Sequence, residues 1–302
     1  MQSPKYTNNY TDTYTVFKQI LEIVVKLYKK CIPATIKNRK NVDKLVQPDT
    51  VIIACVLWGL MLVYNSQRAT YRAVRTILFF TEFPSRTRYT RLCASLTYAI
   101  KIIRFFFVKQ KTKNVTTAIV DSFPSPFCKE IRNRRAKVLG SIAEVGYNST
   151  KEIYYYGVKI SAAVTESGFP IAYVVSSPKI HDVQLLETLV NEAPVSHILG
   201  DKGYISGSIQ EKTARKGVTI TTPLRKNMKA ADKINDTLLS KRRKKIETVF
   251  SSLERLGIQD FRSRSTLGFE SRLEGILLVY CLMLDKARER FGNTLRYSLG
   301  CF

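Results

Sequence analysis

A carboxylate at the end of a buried strand is costly to leave unpaired, because burial strips water from its charge. The sequence sets two carboxylates in such places. Asp121 closes the apolar run Ala118-Ile119-Val120 and is followed by Ser-Phe-Pro; Asp201 closes His197-Ile198-Leu199-Gly200 and is followed by Lys-Gly-Tyr. In open α/β sheets, ligands bind at the carboxyl ends of strands. A third carboxylate, Glu247, adjoins the apolar row through Ile246 and Phe250 of a long helical segment, at the rim of its buried face. Three converging carboxylates repel one another unless a cation neutralises them. Donors that are all oxygen suit a hard ion, Mg²⁺ or Mn²⁺. Two such ions about 4 Å apart can activate an attacking hydroxyl and stabilise the leaving oxygen of a phosphodiester. Spacing alone does not select these three from 24 acidic residues. Asp182 competes with Asp201 for the second place, since it also follows an apolar strand, although Ser-Ser-Pro-Lys-Ile-His before it reads as a loop leading to a helix N-cap.

The charge balance names the partner class. Lys and Arg number 49 against 24 Asp and Glu, a formal charge of +25 in 302 residues. Such an excess repels itself unless a polyanion or counterions screen it, and nucleic acid is the leading candidate. The basic residues are grouped. Arg68, Arg72 and Arg75 fall at i, i+4 and i+7 opposite an apolar stripe of Tyr71, Val74, Ile77 and Leu78, so one helix would carry a core face and an arginine face fit for a major groove. Arg86, Arg88 and Arg91 follow on the next helical segment. Lys159 and Lys202 are expected as point charges for phosphate near the acidic site. Arg225, Lys226 and Lys229, then Lys241, Arg242, Arg243, Lys244 and Lys245, form a basic approach to Glu247 that would track a DNA backbone. Arg132, Arg134, Arg135 and Lys137 form another cluster, expected on a mobile insert between strands. His181 and His197 read as structural.

The elements that must position these groups change character near residue 112. Before it the period is helical: Phe17, Ile20, Leu21, Val24, Leu27 and Tyr28 recur on one face, and Val51–Tyr64 is an apolar run with Asp49 as its expected N-cap. Ser66 and Ser85 are expected to cap the two arginine-bearing helices. Lys109 to Asn114 reads as a polar linker. From Val115 the period shifts toward two. A buried strand ends at Asp121, Ile153–Val164 and Ile171–Val175 form a hairpin turning at Gly168 and Pro170, and strands follow at 195–199 and 218–222. Helices are expected over 183–190, 237–256 and 270–289. Strand, hairpin, helix, strand, helix, strand, helix is an α/β plan with a mixed central sheet.

Several classes are excluded. Six scattered cysteines without a C-x-x-C pair, and only two histidines, do not make a zinc module; reduced buried thiols are expected instead. No GxxxxGK[ST] or GxGxxG occurs, so no nucleotide cofactor is expected. The N-terminal stretch lacks the apolar region of a signal peptide, and the 15-residue run Val51–Asn65 is short of the roughly 20 residues of a membrane span. A cytoplasmic, nucleoid-associated protein is the expectation, with no membrane partner.

Several short stretches, taken in order, add a resemblance. They are D-S-F-P at Asp121–Pro124, Y-Y-G-V-K at Tyr155–Lys159, H-D at His181–Asp182, G-D-K-G-Y at Gly200–Tyr204, R-K-K-I-E-T-V-F at Arg243–Phe250 and F-E-S-R-L-E-G-I-L-L-V-Y at Phe269–Tyr280. With F-P-S-R-T-R-Y-T-R at Phe83–Arg91 before them, the set resembles DDE-type insertion-sequence transposases, most of all the insertion-sequence 982 family. The resemblance implies an RNase H-like catalytic domain over 115–290, an all-α, helix-turn-helix-like region that binds DNA ends over 1–110, and a tail at 291–302. It puts the acidic triad on Asp121, Asp201 and Glu247. The Tyr-Arg-Glu-Lys pattern of related enzymes is met at Arg243 and Glu247, whereas Ser240 replaces the tyrosine and the trailing cation is displaced to Arg255. The implied function is two-metal cutting and joining of double-stranded DNA, element ends to target, by a homo-oligomer assembled on the DNA. The alternatives are a nuclease of the same fold without strand transfer, and an inactive DNA-binding regulator derived from such an enzyme.

Overall fold

A computed structural model describes residues 9–148, 152–224 and 237–299. The chain divides into two compact units, one helical (residues 9–107 with 266–279) and one built on a sheet (108–265 with 280–299).

The helical unit is built around α3 (Asp49–Met61), apolar on every side, with Ile52, Ile53, Cys55, Leu57 and Trp58 fully buried. A helix without a polar face belongs at the centre of a bundle. α1 (Asn9–Cys31) lays Phe17, Ile20 and Val24 against it. Pro48, not Asp49, holds the N-cap of α3. Asp49 opens the helix itself, buried, where it accepts the Tyr28 hydroxyl at 2.8 Å and a two-armed bond from Arg39. The expected cap is thus an ion-pair anchor for the loop before α3, which also contains the short helix α2 (Ala34–Lys37).

Ser66 caps α4 (Gln67–Ile77) through Ala69 N–H, and Ser85 caps α5 (Arg86–Ser95) through Arg88 N–H, both as expected from sequence. The region is all-α. The link between these helices, residues 78–85, is longer than the three or four residues of a tight helix-turn-helix turn. Phe80 and Phe83 of that link stack at 5.1 Å, and Phe83 also meets Tyr71 and Tyr89. α6 (Thr97–Lys111) runs through Lys109–Lys111, so half of the expected linker is helix. Within this unit Arg104 of α6 makes a fully buried two-armed pair with Glu274, at 2.5 and 3.2 Å.

The sheet unit holds six strands among the described residues, in the order β2-β3-β1-β5-β6 with β4 also on β3. β1 (Thr117–Pro126) pairs antiparallel with β3 (Ile153–Thr165), β3 antiparallel with β2 (Glu144–Asn148) and β4 (Pro170–Ser176), and β1 parallel with β5 (His197–Leu199), itself parallel to β6 (Thr219–Thr221). α7 (Asp182–Glu192) and α8 (Gly207–Arg215) make the crossovers, and α9 (Thr237–Arg255) and α10 (Thr266–Phe291) follow. This is the α/β plan with a mixed central sheet that the sequence reading expects.

β1 does not end at Asp121. It continues to Pro126, paired with β3 throughout. Beyond Ile119 its other side is free of β5, so Pro124 and Pro126, which have no N–H to donate, fit there as on an edge strand. Gly157 of β3 accommodates that extension, since a Cβ there would meet the Ser125 carbonyl oxygen at 2.1 Å. Gly168 turns the β3–β4 hairpin at φ +93°, a conformation open to glycine. β2 has no counterpart in the sequence reading. The basic segment before it is anchored rather than mobile: buried Asn133 donates to Tyr154 O at 2.7 Å and accepts Tyr156 N–H at 3.0 Å. Among the described residues no helix is long and apolar enough to cross a membrane, and Cys31, Cys55, Cys93, Cys128 and Cys281 are free thiols.

Breaking a buried ion pair from one side leaves a desolvated charge and costs roughly 3–5 kcal/mol, whereas replacing both partners by apolar residues is often neutral or stabilising. Arg104→Met should therefore lower stability by about that amount, and Arg104→Met with Glu274→Met should restore most of it. Urea unfolding of the two variants checks both outcomes.

Candidate active site

The parallel register of β1 and β5 does the positioning. Thr117, Ala118 and Ile119 pair with His197, Ile198 and Leu199, and two residues beyond the last pair on each strand stand Asp121 and Asp201. Neighbouring strands lie about 4.8 Å apart, so equal extension past the last pair sets the two carboxylates side by side. The Asp121 side chain shares a face with Phe123, whose ring packs on Phe250 of α9 at 4.5 Å between centroids. α9 therefore crosses β1 on the face that carries Asp121.

The electrostatics follow from this placement. Burial pushes Asp121 from the ordinary 3.8 up to about 6; the Ser122 N–H, donating to its Oδ1 at 2.8 Å, acts against that, and the charge of Asp201 adds to it. Arg243 of α9 lowers it again and Asp182 raises it further. Asp201 is half-exposed and accepts Arg243 Nη2 at 2.9 Å. Tyr204, three residues after Asp201 in a 3-10 turn, is fully buried with its hydroxyl unpartnered, and its ionisation is suppressed first by burial and then by the charges of Asp182, Asp121 and Asp201. A buried hydroxyl without a protein partner thus lies within the field of three carboxylates.

Glu247 lies one turn along α9 from Arg243 and three residues before Phe250, and it is exposed. Among the described residues no three His, Cys, Asp or Glu side chains converge at ion-holding distance. The structure thus joins Asp121, Asp201 and Arg243 and leaves Glu247 at the rim. Asp182 is the first residue of α7, after an N-cap at His181, rather than the cap itself. Its carboxylate takes Lys159 Nζ at 2.7 Å.

The expected phosphate-binding residues separate into two groups. Lys159 pairs with Pro124 and Ser176, on the sheet face opposite Asp121, and its ammonium is taken up by Asp182 and the Ile180 carbonyl. Strand alternation turns Lys159 to the other face, where it fixes Asp182. Arg243 is tied to Asp201, and Lys245 leans 3.5 Å from Glu166, which Arg242 also grips with two arms at 2.8 and 3.2 Å. Lys202 and Lys244 are exposed, as are Arg68, Arg72 and Arg75 on α4. Arg225, Lys226 and Lys229 lie outside the described residues. His197 is structural: its Nε2 meets Thr221 Oγ1 at 2.9 Å, and burial lowers its pKa. Two participants were missed from sequence, Tyr204 and the pairing role of Arg243. The tyrosine of G-D-K-G-Y carries the signal, since a residue three places on in a tight turn folds back beneath Asp201.

Residues 116–282 match the family described as Transposase DDE domain. The chain belongs to that family. This transposase is accordingly an enzyme that cuts and joins DNA strands, and DDE transposases generally use divalent metal ions. Among solved structures it is similar to a chain of the piggyBac transposase synaptic complex with hairpin DNA, at 11% identity and a TM-score of 0.44, covering 98% of this chain and 79% of that one. No curated protein sequence matches it.

The raised carboxyl of Asp121 gives a signed pH dependence. Protonation-linked stability is present below the unfolded value near 3.8 and is lost as pH rises through about 6. In the absence of divalent metal, Asp121→Asn should be more stable than the parent by about 2–3 kcal/mol at pH 7. That gain should vanish by pH 3. Denaturant titrations at the two pH values decide it.

Proposed function

We propose that this transposase belongs with the insertion-sequence 982 group, binds its element's ends through the helical region, and carries out phosphoryl transfer with Asp121, Asp201 and Glu247. The observation that carries this reading is the pair Asp121–Asp201, set in register at the ends of adjacent parallel strands, with Asp121 held near pKa 6 by burial and by its neighbour. Two carboxylates so placed are short of positive charge, and Arg243 supplies only part of it. Their oxygens and the open Tyr204 hydroxyl fit a hard cation, Mg²⁺ or Mn²⁺, in one or two copies. Asp121 and Asp201 would hold the ion, with Glu247 brought in from α9 as the third carboxylate.

When bound, the divalent ions supply Lewis-acid polarisation of the phosphodiester and ease deprotonation of the attacking hydroxyl. The chain's own groups do the rest. Asp121 and Asp201 act as ionised ligands rather than proton donors. Arg243, now paired with Asp201, presents a two-pronged guanidinium that would suit a phosphate oxygen where Asp201 served as a metal ligand. Water attacks first and frees a 3′-OH at the element's end; that 3′-OH then attacks target DNA in line. Neither step needs a nucleotide cofactor or a covalent link to the protein. Two ends joined in one event call for more than one copy of the chain on the DNA.

Asp121→Asn, Asp201→Asn and Glu247→Gln should each lower strand transfer at least about a thousandfold, equivalent to roughly 4 kcal/mol of lost transition-state stabilisation. The assay is joining of a 3′-OH end, drawn from DNA flanking the coding region, into a plasmid. Activity persisting in Glu247→Gln would take that residue out of the triad. Nicked products without joined ones would point to a nuclease, and DNA binding unaffected by chelation with no products at all to a regulator.

The basic surfaces should divide the labour. Arg72→Ala should reduce the preference for element ends over random duplex on the order of tenfold, the value of one bidentate arginine–base contact. Lys244→Ala should weaken binding to all sequences alike and flatten the salt dependence by about one ion. Titration of both duplexes at several salt concentrations separates the two outcomes.

A further inference from the structure

Within the helical unit, the loop after α2 and one flank of α5 enclose a cleft of about 240 Å³. Arg39, Lys40, Asn41, Leu45, Arg88, Arg91, Leu92 and Ser95 line it, four cations and no acid. It is smaller and more polar than the pockets of drug-sized ligands, which start near 300 Å³ and are mostly apolar. Its walls are set in advance. Arg39 is held in a two-armed bond by buried Asp49, which Tyr28 also grips, so the loop that carries Lys40 and Asn41 is pinned to the start of α3. The loop closes on itself through Val42 N–H to Arg39 O, with Asn41 in the left-handed conformation at φ 63°. Across the cleft, Arg88, Arg91 and Ser95 stand at i, i+3 and i+7, one face of α5, with buried Leu92 behind them.

Asp49 balances the charge of Arg39, but Lys40, Arg88 and Arg91 are exposed and have no acid at the cleft to answer them. Three uncompensated cations around a small polar hollow focus a positive potential that attracts an anion. Two guanidiniums one turn apart suit the tetrahedral oxygens of phosphate better than a lone ammonium would.

We propose that this cleft is a phosphate-binding notch that holds one backbone phosphate of the bound DNA between Lys40 on the loop and Arg88 and Arg91 on α5. The assignment rests on the DNA-binding reading of the helical region and deepens it. The notch fixes register on the backbone, whereas the arginines of α4 face outward to read bases. The same chemistry would accept a free phosphate group.

The test uses the full chain and a random duplex at several salt concentrations, with Arg88→Gln, Arg91→Gln and the double variant. One phosphate contact contributes a salt slope of about 0.9, or roughly eightfold in affinity at 0.1 M salt relative to 1 M. Because the two arginines share one phosphate, the double variant should lose about that much and no more. A double loss near 1.8 in slope and about sixtyfold would mean two separate phosphates and would overturn the notch, as would no loss at all. In a second arm without DNA, inorganic phosphate at constant ionic strength should raise the melting temperature of the parent but not of the double variant. If the parent fails to bind duplex, the DNA reading falls, and this arm alone decides the notch: a phosphate shift confined to the parent sustains it for a free phosphate, and equal shifts end it.

Discussion

β1 pairs with β3 over nine consecutive residues and with β5 over three, and this unequal pairing creates the acidic corner. The long antiparallel side keeps the strand straight past Asp121. The short parallel side stops at Ile119 and Leu199, so a gap opens beyond it, with Asp121 and Asp201 each two residues past the last pair. A strand ended at Asp121 would lose the Phe123–Phe250 contact that seats α9 over the same face. Pairing, gap and helix are consequences of one register.

Charge is handled differently in the two units. Around the acidic pair, three carboxylates take cations from elsewhere in the sheet unit: Arg243 for Asp201, Lys159 for Asp182, Arg242 and Lys245 for Glu166. Asp121 is half-buried with no ion-pair partner among the described residues, and burial raises its pKa. In the helical unit Asp49 and Glu274 are buried against Arg39 and Arg104, while Arg68, Arg72 and Arg75 of α4 stand exposed.

Much of this was legible in the sequence, for reasons that differ by element. The α3 run and the β3–β4 hairpin have strong periodicity and clear breakers, and both stand as read. Ser66 and Ser85 were legible because a cap is a local matter. Asp49 was misread for the same reason: its partner Tyr28 lies 21 residues away, and no local pattern reports it. β1 was cut short because proline normally ends a strand, and only the missing neighbour past Ile119 makes Pro124 acceptable. The pairing of Lys159 with Asp182 was not legible, because alternation fixes a face relative to strand neighbours, not to a residue 23 places on. The pairing of Arg243 with Asp201 and the burial of Tyr204 depend on contacts made across the fold, and residue types alone do not disclose them.

The buried pair of Arg104 and Glu274 spans 170 residues of sequence, because 266–279 belongs with the helical unit although it follows the whole sheet. On a ribosome adding about 5–20 residues per second, Arg104 emerges some 10–30 s before its partner. Through that interval the N-terminal helices exist as a nascent bundle with a wet seam where α10 will lie. The sheet unit, interposed in the gene between the two halves of this core, has time to collapse first. The part of the transposase translated earliest is thus the part completed last, and a chain truncated before residue 266 would leave it unfinished.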